Sequence, residues 1–485
     1  MTGGTASRGG SSIAPSHRSG SSQRSSDRRV ALFGALHGAS LGALLISHPV
    51  LDLVARHPAF LDAHRLGAGG IAALGVASTL IPSLVGALIG AWLETWRNLP
   101  RTVSLWLTFL SPALVVVPTV FLLHPEVRSR LQTPETRQPV DVVHPVPVIL
   151  LVFDELPLPV LLDEVGALDA DQFPHFARLA SMSYFFSGAR SPYATTLPSV
   201  PAILTGRYAQ ADLQVAQAET CNLFSDLAGT YRLDVEERVT RLARGIHRPA
   251  FAHTAPPSPI GVIARDLGIL YLHRVLPTSW TRGLPPVDVG WGSFQASHGP
   301  SDPTRDPRVA RFLDFIDRVG ADPDVPTLYF FHSALPHRPW DLGGDLPSQT
   351  RVADDLLGQL LERMDETGLL NRALVVVVAD HGIGLTPGAG ERGDPDRRVV
   401  FDEILSVPLF IKLPEQTQGK HHAGYVETVD LLPTVAQVLG FEPSCPPDGR
   451  SLFAAKRAWE ETTFYLHRGW ATRPAAVTRG RPRGL

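Results

Sequence analysis

An α/β fold with a mostly parallel sheet sandwiched by helices, preceded by an N-terminal three-helix transmembrane region, is predicted by three observations. Short unbroken apolar runs at Val148–Phe153, Thr327–His332 and Ala373–Ala379 have the length and character of parallel strands covered on both faces. Segments of helical period accompany them. In one, Val352, Leu356, Leu357, Leu360, Leu361 and Met364 form a single face, and strands alternating with helices argue for a parallel sheet. Three longer apolar stretches, 31–54, 68–92 and 103–123, each reach the roughly 20 residues that a bilayer core requires.

The 485 residues are 44% hydrophobic and can bury a sizeable core, and a net charge of -3 leaves no footprint for nucleic acid. Residues 1–29, rich in Ser, Gly and Arg, cannot offset the entropy of ordering and read as a disordered cytoplasmic tail. Residues 30–124 hold the three candidate spans. Gly69, Gly70, Gly75, Gly86 and Gly90 suit close helix packing in lipid, and Trp92, Trp96 and Trp106 stand near the span ends. Buried helices of a soluble all-α domain are the alternative. Arg8, Arg18, Arg24, Arg28 and Arg29 precede the first span, and Arg97 and Arg101 lie between the second and third, so the positive-inside rule keeps the tail in the cytoplasm. Three crossings place the rest on the extracytoplasmic side of the cell membrane: a Pro-rich linker at 125–145, a catalytic domain at 146–465 and a tail at 466–485. Cys221 and Cys445 are the two cysteines; a bridge is open to them outside the cytosol, and two unpaired thiols are the favoured expectation.

Within the catalytic segment, Asp154 and Glu155 close the first strand, at the end where α/β sheets carry ligand chemistry. Phe173, Phe176, Leu179 and Ala180 set a helix within Asp171–Ser183. Thr195 and Thr196 precede an apolar segment that Gly206 closes, the pattern of a loop entering a helix whose N–H groups and dipole favour an anion. Cys221–Gly229 reads as a helix and 233–239 as a strand, while residues 241–305 read as an irregular insertion. His332 lies inside its strand as a core histidine, and His337 follows a few residues past it. Asp380-His381-Gly382 ends the third strand, Val407–Lys412 adds another, and His421 and His422 fall in an exposed loop. Asp430–Gly440 is a helix with Pro433 in its first turn, where a missing N–H is tolerated.

Asp154, Asp380, His381 and a Thr oxygen make a suitable ligand set for one divalent cation, with Glu155 as a further carboxylate candidate. A free Thr hydroxyl is a poor nucleophile, and coordination activates it.

The segment Thr196-Leu197-Pro198-Ser199-Val200-Pro201-Ala202-Ile203-Leu204-Thr205-Gly206-Arg207 resembles the sulfatase signature, in which Cys or Ser, Pro and Arg precede Leu-Thr-Gly-Arg at this spacing. The strand ending in Asp154, the block Ala379-Asp380-His381-Gly382, Val407-Pro408-Leu409 and Val429–Thr434 follow in sulfatase order. Residues 146–453 therefore resemble the alkaline phosphatase/sulfatase superfamily. Thr196 stands where sulfatases carry the residue converted to formylglycine, and Val200 replaces the signature Arg. In its Thr the chain resembles the membrane-anchored phosphoethanolamine and phosphoglycerol transferases. That likeness implies Asp154, Thr196, Asp380 and His381 as metal ligands, Thr196 rather than Thr195 as nucleophile, and His337 as a substrate-binding histidine. It implies a Mn, Zn, Mg or Ca ion, a membrane-lipid environment, and a phosphate- or sulfate-ester substrate, lipid- or glycan-linked, cleaved through a covalent Thr196 intermediate. A true sulfatase and a catalytically inactive anion- or partner-binding membrane protein are the alternatives.

Overall fold

The computed structural model describes residues 68–96, 113–123, 140–208, 221–237, 260–276, 306–320, 325–385, 403–454, 462–467 and 474–479, with short pieces between them. The chain divides into two compact units. The first contains helices α1 (Ala68–Trp96) and α2 (Ala113–Leu123). α1 covers the expected second span, and Leu80, Ile81, Leu84 and Leu88 on it are 61–64% exposed. Among the described residues, no helix is long and apolar enough to cross a membrane, so the three expected crossings gain no support from them. Apart from isolated positions, the stretch 31–54 and residues 103–112 lie outside the described residues.

Nine of the eleven described strands of the second unit lie between residues 148 and 427, with helices around them. These strands are β1 (Val148–Asp154), β2 (Tyr184–Phe186), β3 (Ala189–Arg190), β4 (Arg232–Glu236), β5 (Thr327–Pro336), β6 (Leu374–Ala379), β7 (Leu409–Lys412), β8 (Lys420–His422) and β9 (Val426–Glu427). Seven form one sheet in the order β4-β5-β1-β6-β7-β2-β8. β4, β5, β1 and β6 run parallel, and β7 is antiparallel to both β6 and β2. All seven residues of β1 are buried, which explains an apolar run without alternation: this strand has two parallel neighbours and a helical layer on each face.

The register decides which side chains meet. Val152 stands opposite His332 on β5 and Val378 on β6, so even-numbered residues of all three strands share one face. Odd-numbered Phe153 and Phe331 turn to the other face. There they pack on Phe176 of α3 (Pro174–Ala180) and Phe312 of α6 (Pro307–Arg318), with centroids 5.6 and 4.9 Å apart. On the even face Phe330 meets Phe224 of α5 (Leu223–Leu227) at 5.0 Å. α4 (Thr196–Thr205) packs on the same side with α9 (Leu431–Leu439), and α8 (Leu346–Glu366) joins α3 and α6. α7 is the helix Ile260–Val275, lying where an irregular insertion was expected; its weak apolar periodicity conceals it in the sequence.

Two other expectations change. His421 and His422 belong to edge strand β8, which pairs with β2, and not to a loop. Within the expected C-terminal tail, β11 (Pro474–Arg479) pairs antiparallel with β10 (Thr462–His467).

Cys221 and Cys445 form a disulfide across 224 residues of sequence, contrary to the expectation of free thiols. Their proximity is tertiary. Asn222 caps α5 by accepting from Phe224 and Ser225 N–H groups, and the Ser444 N–H reaches Asp226 Oδ1 of the same helix at 3.4 Å. Closing so long a loop restricts the unfolded chain, and removing a bridge of this kind costs about 2–5 kcal/mol. Cys221→Ser and Cys445→Ser are each expected to lower the denaturant midpoint equally, with no further loss in the double variant.

Candidate metal centre

The carboxyl ends of β1, β5 and β6 converge on the even face, and the site is assembled there. β1 delivers Asp154, where the register with β5 shifts so that Asp154 pairs with Pro336. β6 delivers Asp380 and His381 immediately beyond its last residue. Both aspartates and His381 are buried, and their ligand atoms lie within 4.8 Å of one another. His381 Nδ1 donates to the Gly382 carbonyl at 2.8 Å, which leaves Nε2 its lone pair. That Nε2 lies 3.6 Å from Asp380 Oδ2 and 3.9 Å from Asp154 Oδ1.

Thr196 enters from α4. Thr195 is the N-cap in extended conformation, and Gly206 at φ 64° ends the helix with its N–H on the Ala202 carbonyl, a conformation that favours glycine. The Thr196 hydroxyl lies 3.3 Å from Asp154 Oδ1 and 3.1 Å from His381 Nε2. Ser199 N–H is taken by the Thr195 carbonyl and Pro198 has no N–H, so the first-turn donors are those of Thr196 and Leu197.

Electrostatically the pair of aspartates is costly without a cation. Burial pushes the Asp380 carboxyl well above the usual carboxylate range, and the neighbouring Asp154 charge pushes it the same way. Asp380 Oδ1 accepts from the Glu155 and His381 N–H groups at 3.1 and 2.7 Å, whereas Oδ2 is buried with no hydrogen-bond partner. An orphaned buried oxygen beside a second carboxylate and an imidazole lone pair fits a divalent ion.

Gly382 serves close approach rather than an unusual turn: a Cβ there would meet the Glu403 carbonyl at 2.3 Å and Pro157 Cβ at 2.8 Å. Glu155, expected as a further ligand, takes another place. At φ 62° its N–H points to Asp380, while its carboxylate lies 3.3 Å from Arg338 Nε and 3.3 Å from His337 Nε2. His337 Nδ1 donates to the Arg338 carbonyl at 2.6 Å, so the ring is held at both nitrogens.

The supports of His337 are invisible in the sequence. Arg308 Nη1 donates to the His337 and Pro339 carbonyls at 3.3 and 3.0 Å, and Gln349 Nε2 donates to the Pro336 and His337 carbonyls at 2.9 and 2.8 Å. Arg308 is anchored by Asp306 at 2.7 Å and by Asp341. His332, expected as a core histidine, is 1% exposed and does lie in the core, yet its ring faces the same two aspartates. The parity of β5 is the signal that places it there.

This is an α/β sheet protein with a candidate cation site and a threonine at a helix N-terminus. The sulfatase family model matches residues 299–441. Arylsulfatase K of Xenopus laevis is 29% identical over 123 residues, 24% of this chain and 22% of that protein. The multifunctional alkaline phosphatase superfamily protein PehA of Trinickia caryophylli is 34% identical over 101 residues, 20% of this chain and 19% of that protein. The chain thus spans about a fifth of the length of these two curated relatives. Among solved structures, the phosphonate monoester hydrolase of Agrobacterium radiobacter has a TM-score of 0.46 at 16% identity, covering 66% of this chain and 80% of that one. Over these matched residues the chain is similar to sulfatases and to proteins of the alkaline phosphatase superfamily.

Proposed function

We propose that the chain is a membrane-anchored hydrolase or transferase, dependent on one divalent ion, that cleaves a phosphate ester through a covalent Thr196 intermediate. The carrying observation is the position of the Thr196 hydroxyl, 3.1 Å from His381 Nε2 and 3.3 Å from Asp154 Oδ1 at the start of α4. Thr196 Oγ1 attacks phosphorus, its bond to phosphorus forms as the ester P–O bond breaks, and its proton passes to a neighbouring base. The Thr196 and Leu197 N–H groups receive charge on the non-bridging oxygens. His337 Nε2 exchanges its Glu155 contact to donate a hydrogen bond to the departing oxygen, while Nδ1 stays on the Arg338 carbonyl and fixes the ring. Water or an alcohol then attacks the phosphothreonine and regenerates the hydroxyl. Bound by Asp154, Thr196, Asp380 and His381, a divalent ion supplies Lewis-acid charge beside the anionic ester.

A sulfate ester is the second reading, favoured by the sulfatase family match. The exposed apolar residues of α1 offer a surface suited to lipid contact, and the Cys221–Cys445 disulfide favours an extracytoplasmic catalytic domain. A lipid- or glycan-linked donor would be within reach of such an anchor. The test is a screen of phosphate diesters, phosphate monoesters and sulfate esters with the full chain, followed by acid quench and peptide mass spectrometry. A phosphoryl-derived increment on Thr196 is expected. Turnover with every increment located on another residue overturns the mechanism, and turnover of sulfate esters alone selects the second reading.

A further inference from the structure

We infer that His175, Asp354 and Asp355 form a second divalent-cation site, suited to zinc, that clamps α3 to α8 on the face of the sheet away from the first; the inference is independent of the catalytic reading above. One ligand atom from each of the three residues lies within 4.8 Å of the other two. His175 is the second residue of α3, while Asp354 and Asp355 are neighbours on α8, the first buried and the second exposed. Ligands about 2.1 Å from a zinc ion stand about 3–4 Å apart, so an ion here draws these atoms inward by about an ångström.

Both helices hold their ligands in place. Asp354 reaches across to α3, where its Oδ2 and Oδ1 accept from the His175 and Phe176 N–H groups at 3.2 and 2.8 Å. These bonds fix the carboxylate and set the His175 backbone beside it, and each oxygen keeps a further lone pair. The imidazole has a seat of its own. Gly358 lies one turn beyond Asp354 on the same side of α8, and a Cβ there would stand 2.6 Å from His175 Cε1 and Nδ1, so the ring occupies a notch that only glycine leaves open. Half-buried in that notch, it makes no hydrogen bond or ion pair with the protein among the described residues. Charge points the same way. Arg351, one turn before Asp354, donates to Gln172 and Ser348 at 2.8 Å each, and neither aspartate has an arginine or lysine partner among the described residues. An imidazole nitrogen and two carboxylates are a zinc-type donor set, with water completing the shell on the exposed side. Phe176 of the same short helix packs on Phe153 of β1, so the ion fastens α3 behind the strand that carries Asp154.

The test is a zinc count on the full chain, stripped with chelator and equilibrated with buffered Zn²⁺. A background carrying Asp380→Asn and His381→Ala, which lacks the first site, is expected to bind one ion and to lose it when His175→Ala or Asp355→Ala is added. Gly358→Ala keeps all three ligands but displaces the ring, and is expected to weaken that binding by about tenfold or more. Zn²⁺ should raise the thermal midpoint of the background and leave it unmoved once His175→Ala is added. Where the background does not fold, the wild type decides: two ions are expected, falling to one in His175→Ala with turnover kept. Zinc absent from the folded background, or retained there after His175→Ala, overturns the second site. A single wild-type ion lost in His381→Ala and kept in His175→Ala overturns the second site and leaves the first standing; the reverse pattern supports the second and overturns the first.

Discussion

Thr196→Ala is expected to lower kcat/KM by about ten-thousand-fold or more, in line with removal of other covalent nucleophiles. The loss should fall on kcat, because the variant retains the first-turn N–H groups that bind the ester and alanine is a better helix former than threonine. Thr196→Ser restores the hydroxyl and is expected to recover activity to within roughly tenfold of wild type. Thr195→Ala makes the contrast. Thr195 is the extended N-cap and makes no side-chain cap bond, so its truncation costs about 1 kcal/mol of stability at most. Comparable losses in the Thr195 and Thr196 variants would remove Thr196 from its role.

The parts of this site that the sequence displayed are those set by a single element. Asp154 ends an apolar run, Asp380 and His381 end another, and Thr196 heads a helix closed by Gly206; each is legible because strand ends and helix caps have local signatures. Glu155 was not legible. Its adjacency to Asp154 suggests a second ligand, but the left-handed backbone at φ 62° rotates its carboxylate to His337 and Arg338. Arg308 and Gln349, which hold the His337 carbonyl, come from α6 and α8, and their convergence depends on how two helices pack on one face. The disulfide escaped for the same reason, since no local pattern links residues 224 positions apart. His332 is intermediate: its strand was evident, but its relevance needed the register that aligns it with Val152.

Asp380→Asn is expected to move metal affinity and the stability of the metal-free protein in opposite directions. The asparagine Oδ1 can keep the bonds from the Glu155 and His381 N–H groups. Its Nδ2 replaces the orphaned Oδ2 and offers donors to the Asp154 carboxylate where a like charge stood. Because burial and Asp154 raise the folded-state affinity of Asp380 for a proton, the wild-type carboxyl penalises the metal-free fold above its unfolded value of about 3.9. The penalty is absent below that pH, grows as pH rises through it, and levels off at the raised folded value. The variant loses this dependence, so at neutral pH its stripped form should be more stable by about 1–3 kcal/mol. Removing a ligand charge should weaken metal binding more than the roughly 100-fold seen for outer partners. Denaturant midpoints of the stripped proteins between pH 5 and 8, paired with metal analysis after dialysis, measure both effects. A gain in stability with loss of metal assigns the carboxylate pair to the ion, whereas loss of both would assign Asp380 to the fold.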